Sequence, residues 1–131
     1  MQDLHQKLSQ EAQDLLYALA YAQLERRNYG EALSLFQLLT FNEVGQPTYW
    51  MGLGMAYQGT KAYKDALRAF SKAANLGADN PHVHLKAAEC YLALNQTCNA
   101  LKALSCADQA LKFRPEKPLQ AQVNLLRSIW R

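Results

Sequence analysis

Residues 47–80 read PTYWMGLGMAYQGTKAYKDALRAFSKAANLGADN, and the register of this stretch decides the fold. Within it Trp50, Leu53, Gly54 and Tyr57, then Ala66, Phe70 and Ala73, recur at helical spacing on either side of a polar break. Moved forward by 34 residues, Leu53 meets Ala87, Gly54 meets Ala88, Tyr57 meets Tyr91, Ala66 meets Ala100 and Ala73 meets Ala107. Moved back by 34, Leu53 meets Leu19, Gly54 meets Ala20, Tyr63 meets Tyr29, Ala66 meets Ala32, Leu67 meets Leu33 and Phe70 meets Phe36. Neither shift needs a gap. One unit is therefore written three times, starting near Gln13, Pro47 and Pro81.

A period of 34 residues with these size classes is that of the tetratricopeptide repeat, a helix–turn–helix unit. The expectation is an all-α fold: three tandem tetratricopeptide repeats forming a short α-solenoid, closed by a C-terminal capping helix. It is a single domain over 1–131, with an N-terminal arm at 1–12, repeats at 13–46, 47–80 and 81–114, and the capping helix at 115–131. The small residues Ala20, Gly54 and Ala88 sit midway along the first helices, and Ala32, Ala66 and Ala100 midway along the second. Small residues let antiparallel helices approach closely while Leu, Phe and Tyr fill the flanks, so Phe36, Trp50, Tyr57, Phe70 and Tyr91 are read as core.

Local signals place the helix ends. Breaks are expected at Asn28-Tyr29-Gly30, at Gln58-Gly59-Thr60 and near Asn95. Pro47 opens a helix, Gly77 reads as a left-handed cap, and Asn80-Pro81 as an N-cap with its first helical residue. Arg114-Pro115-Glu116-Lys117-Pro118 ends the third repeat. The stretch 119–130 is amphipathic, with Val123, Leu126 and Trp130 on one side, and serves as the lid that a repeat stack needs over its last apolar face.

Composition narrows the function classes. At 131 residues, half of them hydrophobic, the chain can bury one core, but no uncharged apolar run approaches 18 residues, so no membrane insertion is expected. The opening MQDLHQKLSQEAQD is polar and lacks the apolar core of a secretory signal. The net charge of +3 is spread among acids, which argues against nucleic acid as a partner. Cys90, Cys98 and Cys106 are odd in number and lack CxxC spacing, so reduced thiols in a cytoplasmic protein are the simple account. No phosphate loop, metal-ligand set or nucleophile–base pair is present in the sequence; His82 and His84, two apart on a helix, point to different sides. No enzyme, no cofactor and no metal are expected.

A repeat stack does offer a concave surface made by its first helices. The inward places select Tyr17, Tyr21 and Leu24 from repeat one, Met51, Met55 and Gln58 from repeat two with Thr48 beside them, and Leu85, Glu89 and Leu92 from repeat three with His82 beside them. Tyr gives rigid amphipathic contact and Met a surface that adapts, so the expected occupant of this apolar groove is an extended apolar peptide. The basic residues that would clamp a C-terminal carboxylate are missing from these places.

The segments LLYALAYAQLERRNYGEALSLFQLLTF (15–41), YWMGLGMAYQGTKAYKDALRAFSKAA (49–74) and NPHVHLKAAECYLAL (80–94) resemble the tetratricopeptide chaperones of bacterial type III secretion systems that serve the translocator proteins. The resemblance implies a cytoplasmic virulence-associated chaperone that holds a short extended segment of a hydrophobic secreted translocator, from that protein's N-terminal region, in the concave face. A second copy of the chain is a further candidate partner; the region before the first repeat, where that family often dimerises, is short here. Two alternatives remain open: a chaperone of a needle or other early export subunit, and a repeat scaffold joining folded proteins.

Overall fold

The computed structural model of the chain describes residues 8–77, 80–113 and 115–128. The described residues form seven α-helices and no strand: α1 (Gln10–Glu25), α2 (Tyr29–Asn42), α3 (Pro47–Gly59), α4 (Tyr63–Asn75), α5 (Pro81–Ala93), α6 (Thr97–Phe113) and α7 (Lys117–Ser128). Side-chain caps start two of them. Ser9 accepts from the Ala12 N–H at 3.1 Å and Asn80 from the Val83 N–H at 3.1 Å, each satisfying one of the N–H groups a helix start leaves without a partner.

The 34-residue register is written into the backbone. Among the described residues, the non-glycine residues with positive φ are Arg27 (63°), Lys61 (67°) and Asn95 (60°), equivalent places in the three units. At each, the following residue donates its N–H back across the turn: Asn28 to Gln23, Ala62 to Tyr57 and Gln96 to Tyr91, at 2.9, 2.9 and 2.8 Å. One left-handed residue and one long back-bond thus reverse the chain three times. The expected breaks therefore shift. Gly30 lies inside α2 and Gly59 is the last residue of α3, while the turns occupy the residues around Arg27 and Lys61. Gly77, at φ 110°, is the left-handed cap that the sequence suggests after α4. Lys117-Pro118 opens α7 rather than ending α6.

Packing explains the small residues differently from a simple small-on-small seam. Ala20, Ala32, Ala66, Ala88 and Ala100 are fully buried, but the glycines are seats for aromatic rings. Gly52 lies under Phe36, Gly54 under Phe70 and Gly59 under Tyr29. Phe36 and Phe70 are core, whereas Trp50, Tyr57 and Tyr91 are half-buried flanks of it. The Trp50 indole donates to the Val44 carbonyl at 2.8 Å, and the Lys72 ammonium lies 5.9 Å from its ring centre.

Each helix packs on the next, and α1 also touches α3, α3 touches α5, and α5 touches α7; among the described residues the even helices do not touch one another. Close odd helices and splayed even ones bend the stack, with α1, α3 and α5 lining the inner side. At the far end α7 covers α6 and α5. Leu119 and Val123 are its buried residues, packed with Leu104, Ala107 and Leu111, and Leu126 is a partly buried neighbour. Val123, rather than Leu126, is thus the centre of the lid, and Trp130 lies outside the described residues. Gln120 donates to Asp108 at 3.1 Å and Arg127 pairs with the same carboxylate, tying α7 to α6 at the rim.

Candidate functional site: the concave groove

Two neighbouring hollows run along the inner face. The first, about 300 Å³, lies beside the N-terminal halves of α3 and α5 and is walled by Tyr17, Tyr21, Met51 and Met55, with Thr48 and His82 at its edge. The second, about 390 Å³, lies toward the C-terminal ends of the same helices and is lined by Leu24, Met55, Gln58 and Glu89, with Tyr29 and Tyr63. Met55 and Lys86 belong to both, so the two are parts of one groove.

Its aromatic wall is fixed from behind. Tyr17 packs against Tyr21 at 5.4 Å, Tyr49 at 5.5 Å and Phe36 at 6.1 Å between ring centres, within the range of favourable tilted and edge contacts. Phe36, buried under the Gly52 backbone, carries this wall into the core. Tyr49 is almost wholly buried and its hydroxyl donates to Gln13 Oε1 at 3.3 Å. Gln13 in turn donates to the Leu8 carbonyl at 3.0 Å, and the Leu8 N–H to Asn42 Oδ1 at 3.0 Å. Burial pushes the Tyr17 hydroxyl above its ordinary pKa, helped by Tyr21 and Tyr49, and burial does the same to Tyr49. Both are neutral donors at physiological pH.

The second hollow is about half polar, where the sequence suggests an apolar groove. Gln58 Nε2 donates to Glu89 Oε1 at 2.9 Å, and Lys86 Nζ lies 3.5 Å from the same oxygen. Lys86 and Glu89 are each about one-third exposed (34% and 33%), enough to meet a ligand but not to be freely hydrated.

Of the nine residues expected on this face, seven line the hollows: Tyr17, Tyr21, Leu24, Met51, Met55, Gln58 and Glu89. Leu24 is the most buried of them at 8% exposure and forms floor rather than wall. Leu85 goes elsewhere. It is 3% exposed and belongs to the cluster that α5 shares with α6 and α7, because the lid takes the face where a fourth repeat would pack. Leu92 is half-buried and lines neither hollow. Lys86 was missed, although its place four residues after His82 and three before Glu89 puts it on the inner stripe of α5. His82 is exposed and faces Glu116 at 3.4 Å. Among the described residues no cluster of His, Cys, Asp or Glu could hold a metal, and no helix is long and apolar enough to cross a membrane.

No family model matches the chain. It is 28% identical over 119 residues to the low calcium response locus protein H of Yersinia pseudotuberculosis, covering 90% of this chain and 71% of that protein. In fold it is similar to PcrH, a Pseudomonas aeruginosa protein, in its crystal structure with the chaperone binding region of PopD. That likeness has a TM-score of 0.87 and 28% identity, over 91% of this chain and 90% of that one. The type III secretion translocator chaperone SycD of Yersinia enterocolitica gives a TM-score of 0.84 at 28% identity, over 90% of this chain and 89% of that one. In sequence and in fold, this chain is a relative of the type III secretion translocator chaperones.

Proposed function

We propose that the chain is a cytoplasmic chaperone of a type III secretion system. It takes an extended, largely apolar segment of a secreted translocator into its concave groove and keeps that protein soluble and export-competent. The observation that carries this reading is the hollow walled by Tyr17, Tyr21, Met51 and Met55 between α1, α3 and α5. It is supported by the relative PcrH, whose crystal structure holds the chaperone binding region of PopD.

The mechanism is sequestration without catalysis. Each apolar client side chain seated in the groove leaves water, worth about 1.5–3 kcal/mol when burial is complete. Ordering the client segment costs part of that gain, so affinity stays moderate and the segment can be handed on. The tyrosines provide walls that lose little freedom on binding, and the methionines adjust to the client's shape. In this reading Tyr17, Tyr21, Leu24, Met51, Met55, Gln58 and Glu89 contact the client, while Leu85 and Leu92 do not.

The test is co-expression with the translocators of the same secretion system. They should be insoluble alone, and soluble and co-eluting with this chain when made together. Translocators that stay insoluble while a needle subunit is held instead would contradict the proposal, as would partners that are all soluble on their own.

A further inference from the structure

We infer that the client segment is chemically split: apolar side chains seat in the first hollow, and a side chain carrying N–H donors (arginine, lysine or glutamine) seats against Glu89 in the second. The inference rests on the concave groove being the client site and adds what that site selects.

The two hollows differ in kind. Aromatic and thioether groups wall the first, whereas Gln58, Lys86 and Glu89 meet in the second. Gln58 and Lys86 both approach Oε1 of Glu89, at 2.9 and 3.5 Å. Among the described residues nothing donates to the other carboxylate oxygen, Oε2, so it is an open acceptor in a hollow of about 390 Å³. A client lying across this hollow shields Oε2 from solvent. An apolar side chain there leaves that oxygen of a charged acceptor buried without a partner, and a donor side chain supplies one. Because Lys86 already balances the carboxylate charge, the client's donor need not be charged, and glutamine serves as well as arginine. A site built around hydrogen-bonding groups rejects the ligand that lacks the matching group more strongly than an apolar pocket rejects a size change.

The spacing follows from geometry. From Met51 to Gln58, α3 rises roughly 10 Å at about 1.5 Å per residue, and an extended chain covers that in about three residues at roughly 3.3 Å each. The donor residue therefore lies about three residues from the apolar anchor along the client.

Labelled peptides test this by fluorescence anisotropy against the purified chain. Each carries one apolar stretch and, about three residues away in either chain order, Arg, Gln or Leu. The Arg and Gln peptides should bind roughly tenfold or more tighter than the Leu peptide, the scale of one stranded buried acceptor. In Gln58→Leu/Glu89→Leu the order should reverse. Glu89→Gln, which keeps the shape, should still prefer the Gln peptide over Leu and guards against misfolding of the double variant. A Leu peptide that binds the unaltered chain as tightly as the others overturns the inference. If Tyr21→Ala still weakens all of them, the groove reading survives that outcome. Binding that is undetectable for every peptide, or indifferent to Tyr21→Ala, overturns both.

Discussion

Gly54 tests the packing on which the groove depends. A Cβ built there would lie 2.5 Å from Phe70 Cε1 and 2.6 Å from Cδ1, far inside the roughly 3.5–4.0 Å of a carbon–carbon contact. Phe70 is 1% exposed, so its ring cannot swing clear of the added methyl without leaving its core position. Gly54→Ala therefore overpacks the α3–α4 seam, at about 1–3 kcal/mol, against a helix-propensity gain of up to about 1 kcal/mol. The net loss of about 1–2 kcal/mol should lower the thermal midpoint by roughly 3–10 °C in a domain of this size. Gly30 provides the opposite sign, since a Cβ there meets nothing within 4 Å. Gly30→Ala should stabilise by about 0.4–1 kcal/mol through the unfolded chain alone. Circular dichroism melts of both variants suffice, with Gly54→Ala/Phe70→Leu as a cycle in which the smaller side chain relieves part of the strain. If Gly54→Ala melts at or above the parent, the ring does not rest on that backbone and the account of the seam is wrong.

The remaining expectations concern turns, lid and thiols. Lys61 holds φ at 67°, so Lys61→Gly should raise stability in urea by about 0.5–1 kcal/mol while Lys61→Ala should not; equal gains would refute the strained turn. Val123 is fully buried under the lid, and Val123→Ala should cost about 2 kcal/mol, with deletion of 117–131 lowering the melting point further by uncovering Leu104 and Leu111; an unchanged melt would make α7 a mere tail. Burial, with Glu89 adding to it, pushes the Cys90 thiol up from 9.0 to about 12, whereas Cys98 and Cys106 are exposed. Two thiols should therefore react with a disulfide reagent in the native state and the third only on unfolding. The raised value means that Cys90's contribution is fully present below pH 9 and is lost as pH rises toward 12, by up to about 1.4 kcal/mol per pH unit. Stability flat across that range would contradict a buried neutral thiol.

The repeat was legible in sequence because packing imposes it: Ala20, Gly54 and Ala88, or Phe36 and Phe70, fill equivalent places, and their spacing survives without a gap. The turns were harder to read because the usual marker was misplaced. Gly30 and Gly59 drew the breaks toward themselves, while the left-handed places are held by Arg27, Lys61 and Asn95. Gly59 is instead a seat for Tyr29, a reason visible only once two helices are packed. On the groove, Tyr17, Tyr21, Met51 and Met55 followed from helical periodicity within single helices. Leu85 did not, since its burial depends on α7, an element outside the repeat. The pairing of Gln58 with Glu89 crosses from α3 to α5 and has no signature within either helix. The same holds for Tyr49 and Gln13, which meet across 36 residues.

Client binding by the groove can be measured directly. Tyr21 is 37% exposed and Met55 is partly buried against the core, so Tyr21→Ala/Met55→Ala should lose only modest stability. Its affinity for a translocator's chaperone-binding segment, read by isothermal titration, should fall roughly thirtyfold or more, the loss of one aromatic anchor of about 2 kcal/mol. Phe41→Ala is the control: Phe41 is 74% exposed on α2 and lines neither hollow, so its removal should leave affinity unchanged. A folded Tyr21→Ala/Met55→Ala variant that binds the segment as tightly as the parent, or a Phe41→Ala variant that loses it, would contradict a client held in the concave groove.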